Sequence, residues 1–247
     1  MSKRLREPLL WTLVLVAVSF LLYYVYFMVV QDVQETFLAW LGDVAFVPFS
    51  LLLVTLIIDR LLRQREKLAL RKKMNMVVGA FFSEVGIRLL ELISQSDVHL
   101  EQNRKHFDAS EDWSKRDFRK AMDRVAHAQY QIDPRQADLE ELRTFLDEQR
   151  NFLLRLIENP SIFEDAPLTD LLWAVFHLME ELSYRDELHQ LPEKDYKHLA
   201  EDIKRAYALL IREWFGYLGQ LKESYPFLYS LALRTDPFDL KASPIFS

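Results

Sequence analysis

Residues 9–30 and 37–58 form two apolar runs of 22 residues each, separated by six residues that include Asp32 and Glu35. At about 1.5 Å of helical rise per residue each run reaches ~33 Å, which suffices to cross a hydrocarbon core of ~30 Å. The pattern predicts a two-helix transmembrane hairpin with both chain ends on one side. A cleaved signal peptide is the rival reading of the first run, but its apolar stretch would be shorter and would end in small residues. Here the run ends Phe27, Met28, Val29, Val30.

Beyond residue 58 the pattern changes from continuous apolarity to helical periodicity. No Pro interrupts residues 59–94 and the first Gly is Gly79, so the second run is expected to continue as one helix into a basic juxtamembrane stalk and central helix. Residues 76–93 are apolar on nearly every side. Glu84, Arg88 and Glu91 would be costly at bilayer depth, which favours the central helix of a folded core over a third span. In that helix Gly79, Ser83 and Gly86 would admit a close neighbour, and Glu84 with Arg88 is spaced as an i, i+4 pair.

Punctuation residues mark the later helices. Ser110 is a candidate cap for a helix reaching about Ile132. Asp133, Pro134 and Gln136 read as a capping box opening a helix that stops before Asn159 and Pro160. Pro167 starts the next, with Leu168, Leu171, Leu172, Val175, Met179 and Leu182 at helical spacing. Pro192, Glu193 and Asp195 introduce a longer one to about Glu223. A last piece, 226–234, is apolar all round and should be buried against its own domain, another subunit or the bilayer surface. No stretch alternates with period two for long enough to be a strand.

The expected fold class is therefore all-α, a transmembrane hairpin (residues 1–58) continuing through the stalk and central helix (59–94) into a cytoplasmic α-helical bundle (95–247). Composition agrees, since 50% of residues are hydrophobic and 28% charged, with only five Gly and nine Pro, which suits helices joined by short turns. Cys is absent, which excludes disulfides, thiolate-held zinc, iron–sulfur clusters and a cysteine nucleophile.

Charge orients the hairpin. Lys3, Arg4 and Arg6 precede the first run, while Arg60, Arg63, Arg65, Lys67, Arg71, Lys72 and Lys73 follow the second. By the positive-inside rule both termini are expected in the cytoplasm, with the protein in the inner (plasma) membrane. Trp11 at the inner boundary, and Tyr23, Tyr24, Tyr26, Phe37 and Trp40 towards the outer one, fit the aromatic belts. The seven basic residues after the second run form a cationic collar suited to anionic lipid headgroups. Residues 74–247 hold 21 Lys or Arg against 31 Asp or Glu, an acidic balance that argues against a nucleic-acid partner.

Candidate chemistry is sparse. Asp43 is the one ionisable residue in either apolar run, with Pro48 five residues on. In an assembly of hairpins it would ring an outer pore mouth, and Pro48 would loosen the helix there by removing the hydrogen bond to the carbonyl of Val44. The plainer reading makes Asp43 the N-cap of the membrane helix, with 37–41 in the interface. Six His occur, at 99, 106, 127, 177, 189 and 198. Asp186 with His189, and Asp195 with His198, flank the turn at Pro192 and form a weak candidate metal set, which helix-end solvation explains equally well. His177 and Glu181 are at i, i+4 on one helix, either an acid–base pair or a solvated polar face. No phosphate loop, nucleophile elbow or kinase set is present, so neither enzymatic activity nor a cofactor is expected.

These features favour an oligomeric integral membrane protein with a non-enzymatic cytoplasmic sensor, effector or scaffold domain, its partners being membrane lipids, further copies of itself and a cytoplasmic protein. The alternative is a small cation channel with an Asp43 ring and a cytoplasmic assembly or gating bundle. A metal-dependent bundle enzyme ranks third.

Overall fold

The computed structural model describes the backbone of residues 3–107, 109–239 and 242, and the side chains of 14–104, 109–239 and 242. The side chains of Lys3, Arg4, Arg6, Trp11 and His106 fall outside that set. The described chain is all-helical, and its one β-type contact is an isolated antiparallel bridge between Asp97 and Ile132. It divides into two compact units, Met1–Lys67 and Leu68–Ser247.

The first unit holds α1 (Lys3–Val30) and the first part of α2 (Val33–Phe81). The turn between them is tighter than the six residues expected, because Gln31 and Asp32 alone make it. Gln31 takes a left-handed conformation (φ 53°) and donates its N–H to the Phe27 carbonyl at 2.8 Å, closing α1. Asp32 then caps α2, its Oδ1 accepting from the N–H groups of Gln34 (2.7 Å) and Glu35 (3.3 Å). α2 therefore starts ten residues before Asp43. The N-cap role read for Asp43 is overturned, since Asp32 already satisfies the orphan amides and Asp43 lies inside the helix. Pro48 is also internal.

The second unit is built around α8 (Glu193–Ser224). Its buried apolar side chains, Tyr196, Leu199, Ile203, Ala206, Tyr207, Leu210, Ile211, Trp214, Phe215, Leu218 and Leu221, recur at three- and four-residue steps and widen to a broad apolar face. Against it pack α7 (Ala166–Ser183), α5 (Lys115–His127), α9 (Pro226–Arg234) and α3 (Ile87–Ser94), while α6 (Leu139–Ile157) packs on α7. Residues 76–93 enter this core as expected: Val78, Phe81, Phe82, Val85, Leu89, Leu90, Leu92 and Ile93 are buried, although Met76 is exposed.

Between α2 and α3 the helix widens into a π-helical turn, Phe82–Gly86. Phe81 and Phe82 are both fully buried there. Phe82 stacks on Tyr217 (centroids 5.2 Å apart, planes 11° apart) and meets Trp214 at 5.3 Å. Gly86 makes this possible, since a Cβ at that position would stand 2.4 Å from the Phe82 ring and 3.0 Å from that of Phe81.

Several local expectations are corrected. Helix α5 is capped by Ser114, whose N–H and hydroxyl both donate to the Asp117 carboxylate, so Ser110 is not its cap. It ends at His127 rather than near Ile132, and a short helix α4 (Leu100–Phe107) precedes it. Asp133 and Pro134 open only a single 3-10 turn, Pro134–Gln136; α6 begins after a fresh cap, Asp138, which accepts from the Glu141 N–H at 2.9 Å. Arg88 does not pair with Glu84; it reaches Glu91 at 2.9 Å and Glu141 on α6. α7 and α8 fall within a residue or so of their expected bounds.

Candidate functional site

Three regions of the described residues combine exposure with chemistry, and the first lies in the hairpin. Apolar side chains along α1 and the first part of α2 are exposed in long succession, Val29 reaching 79%. Among the described residues α2 belongs to the one helical stretch, Val33–Ser94, that is long and apolar enough to cross a membrane, and none of its most apolar window is buried. The described apolar part of α1, Val14–Val30, is shorter. Across the hairpin the Tyr23 hydroxyl donates to Oδ2 of Asp43. Asp43 thus has a partner on its own chain, and Tyr23 and Trp40 line a small cleft beside it.

The second region is a groove of 1090 Å³ in the larger unit, between the lower part of α2, α5, and the junction of α8 with α9. Tyr217, Phe118, Leu221 and Leu228 supply its apolar wall, and Arg71 and Lys72 its cationic rim. Lys115 and Glu223 pair at 2.7 Å beside it. The junction is held by Lys222, whose ammonium donates to the carbonyls of Glu111 and Trp113 (2.6 Å to the latter) and lies over the Tyr229 ring. Tyr229 in turn donates to the Ser110 carbonyl at 2.7 Å, and burial pushes its hydroxyl up to about 12. Next to the groove α9 buries only Tyr229 and Ala232. Phe227 is 70% exposed, and Leu228 and Leu231 are exposed too, so complete burial of this helix within its own unit is not what the fold provides. Of the seven collar residues, Arg60, Arg63, Arg65 and Lys67 belong to the first unit and Arg71, Lys72 and Lys73 to the second. All seven are exposed on α2, and Arg63 pairs with Asp59 at 2.7 Å.

The third region is a polar cluster between α7 and α8. His177 and Glu181 face His198 and Asp202, two i, i+4 pairs brought together by helix packing. Asp202 is buried, whereas the two imidazoles are about half exposed. Glu181 bonds to Arg185 at 2.8 Å, and that guanidinium, with the nearby imidazoles, holds its carboxyl below the usual range.

The expected metal set is not assembled here. His198 turns to Asp202 and Glu181, Asp195 faces Arg185 at 3.6 Å, His189 lines a separate cleft near Tyr196, and the Asp186 carbonyl accepts from Arg143. Sequence reasoning missed Asp202. The available signal was His-x-x-x-Asp at 198 and 202, repeating the His-x-x-x-Glu of 177 and 181.

Comparison with known proteins bears on both units. Residues 3–62 match a family model described as the N-terminal helical domain of MJ1433, and residues 70–234 match one described as the C-terminal helical domain of the uncharacterized protein MJ1433. The chain is 41% identical over 237 residues to the uncharacterized protein MJ1433 of Methanocaldococcus jannaschii, covering 96% of this chain and 95% of the relative. No solved structure matches.

Proposed function

The chain belongs to the MJ1433 family, with its N-terminal and C-terminal helical domains, and from that premise we propose that it is a membrane-anchored, non-enzymatic sensor, effector or scaffold. In this reading residues 9–30 and 37–58 cross the inner membrane as a hairpin, the larger helical unit sits in the cytoplasm, and the chain assembles with copies of itself. One observation carries it: the apolar surface of α1 and the first part of α2 has no protein covering among the described residues. Monomeric soluble proteins rarely expose contiguous apolar patches beyond a few hundred Å². Lipid is the solvent in which such a surface costs nothing.

The collar residues Arg60, Arg63, Arg65, Lys67, Arg71, Lys72 and Lys73 give the anchor its orientation and attract anionic headgroups, each basic residue near the surface contributing roughly 1 kcal/mol. The larger unit has a well-filled core of its own, as a receiving or relaying domain requires. The groove beside Tyr217 and the exposed apolar face of α9 offer it a surface for a cytoplasmic partner. The channel alternative is weaker, because Asp43 is engaged by Tyr23 of its own chain rather than left for a pore.

Alkaline carbonate extraction of membranes from cells expressing the full chain tests the anchor. Retention in the pellet and release only by detergent are expected; release into the carbonate supernatant would refute it. For the choice between scaffold and channel, reconstituted oligomer should leave liposomes ion-tight, whereas a cation flux altered by Asp43→Asn would favour the channel.

A further inference from the structure

We propose that His177, His198 and Asp202 form a binding site for a divalent transition-metal ion of the zinc type, in the seam between α7 and α8. The ligand atoms of these three residues all lie within 4.8 Å of one another. His198 Nε2 is 3.4 Å from Asp202 Oδ2, and His177 Nε2 is 3.6 Å from Asp202 Oδ1. Zinc bonds of about 2.0–2.1 Å put neighbouring ligand atoms of a tetrahedron roughly 3.3–3.5 Å apart, so these separations already approach those of the edges of a coordination shell.

A second observation points to a cation independently of the spacing. The Asp202 side chain is 2% exposed, and its Oδ2 has no hydrogen-bond partner. Oδ1 is met by Arg205 at 3.2 Å and faces His177, which leaves Oδ2 turned toward the His198 imidazole. A buried carboxylate oxygen without a partner is costly, and a metal ion held jointly with two neutral imidazoles removes that cost. Protonated imidazoles would be the other remedy. Metal binding requires them neutral, so the two remedies respond oppositely to pH.

The donor set selects the metal class. Two imidazole nitrogens and one carboxylate suit zinc, and also cobalt, nickel or iron(II), whereas calcium and magnesium call for shells made largely of oxygen. Glu181 completes the surroundings. Its Oε2 lies 3.5 Å from His198 Nε2 while accepting from Arg185 at 2.8 Å, so a second carboxylate stands beside the position that three protein ligands leave open. A cleft of 380 Å³ lined by His177, Trp173 and Arg205 adjoins the cluster on its His177 side. Bound there, the ion would tie α7 to α8 and make the core of this unit metal-responsive. The inference does not rest on the membrane reading, since every ligand belongs to the second unit.

The test uses the detergent-solubilised full chain, stripped with chelator and titrated with Zn²⁺ by calorimetry and with Co²⁺ by visible absorption. One ion per chain, a raised Tm and the absorption bands of a low-symmetry cobalt site are expected. His177→Ala and His198→Ala change half-exposed side chains and should keep the helical circular dichroism, yet each should weaken binding by about 100-fold or more, beyond the 10–100-fold range of outer-shell changes. His189→Ala should bind as the parent does. Absence of saturable binding in the parent, or undiminished affinity in the folded double variant His177→Ala/His198→Ala, would overturn the proposal.

Discussion

Tyr23 of α1 donates its hydroxyl to the carboxylate of Asp43 on α2, a hydrogen bond between residues twenty positions apart that ties the two arms of the hairpin above their two-residue turn. In the anchored reading this bond lies at bilayer depth. Such interhelical bonds contribute about 0.6 kcal/mol on average and up to about 1.7 kcal/mol. Tyr23→Phe should therefore weaken the hairpin by that amount without altering ion leakage. Unfolding in detergent, followed alongside a liposome flux assay, checks both expectations. A new cation leak on release of the carboxylate would revive the pore.

Gly86 and Gly79 lie on the same helical stretch, but their surroundings predict opposite outcomes. A methyl group at Gly86 would meet the Phe82 ring at 2.4 and 2.9 Å, forcing an aromatic side chain out of a filled core. Gly86→Ala should cost about 1–3 kcal/mol. At Gly79 the nearest atoms, on Tyr217, stand at 3.6 Å, an ordinary contact, so Gly79→Ala should be neutral or stabilising by up to about 1 kcal/mol through helix propensity. Thermal unfolding of the two variants beside the parent gives the comparison.

Burial pushes the Glu213 carboxyl up from its ordinary 4.5 to about 7, with Asp165 adding to the rise and Arg212 opposing it. Between these values the folded chain keeps a proton that the unfolded chain has released. Stability from this group is therefore highest below about 4.5, falls as pH rises towards 7, and levels off above that. Glu213→Gln should flatten this slope and stabilise the protein at pH 8, by at most about 3 kcal/mol. Tryptophan fluorescence during thermal unfolding at a series of pH values reads it.

The fold was legible where local signals and tertiary packing agree. Pro167 marks the start of α7, and Pro192 with Glu193 and Asp195 that of α8, because start signal and apolar stripe coincide there. Agreement failed at 95–138. The expected cap, Ser110, gives way to Ser114. Ser114 becomes the cap because Asp117 lies three residues on, while the Ser110 carbonyl is taken by Tyr229, a residue 119 positions away. Asp133 and Pro134 carry a full helix-start signal, yet the chain uses it for one 3-10 turn that brings Asp133 N–H to the Ser96 carbonyl at 2.9 Å. The cluster at His177, His198 and Asp202 was half visible. Each pair is regular on its own helix, but their meeting depends on how α7 packs on α8, and nothing local marks Asp202 as buried. The cap reading of Asp43 fails because the capping residue Asp32, and not the apolar run, defines the start of α2.

The topology of the anchor is the central claim, and the absence of cysteine makes it directly measurable. Glu35→Cys puts a thiol in the first turn of α2, next to the hairpin turn, and Lys204→Cys puts one on the exposed side of α8. A membrane-impermeant maleimide added to intact cells, in which the outer surface of the membrane is open to reagent, should label Glu35→Cys at once and Lys204→Cys only after lysis. Labelling of Lys204→Cys from outside, or protection of Glu35→Cys until lysis, would contradict the account.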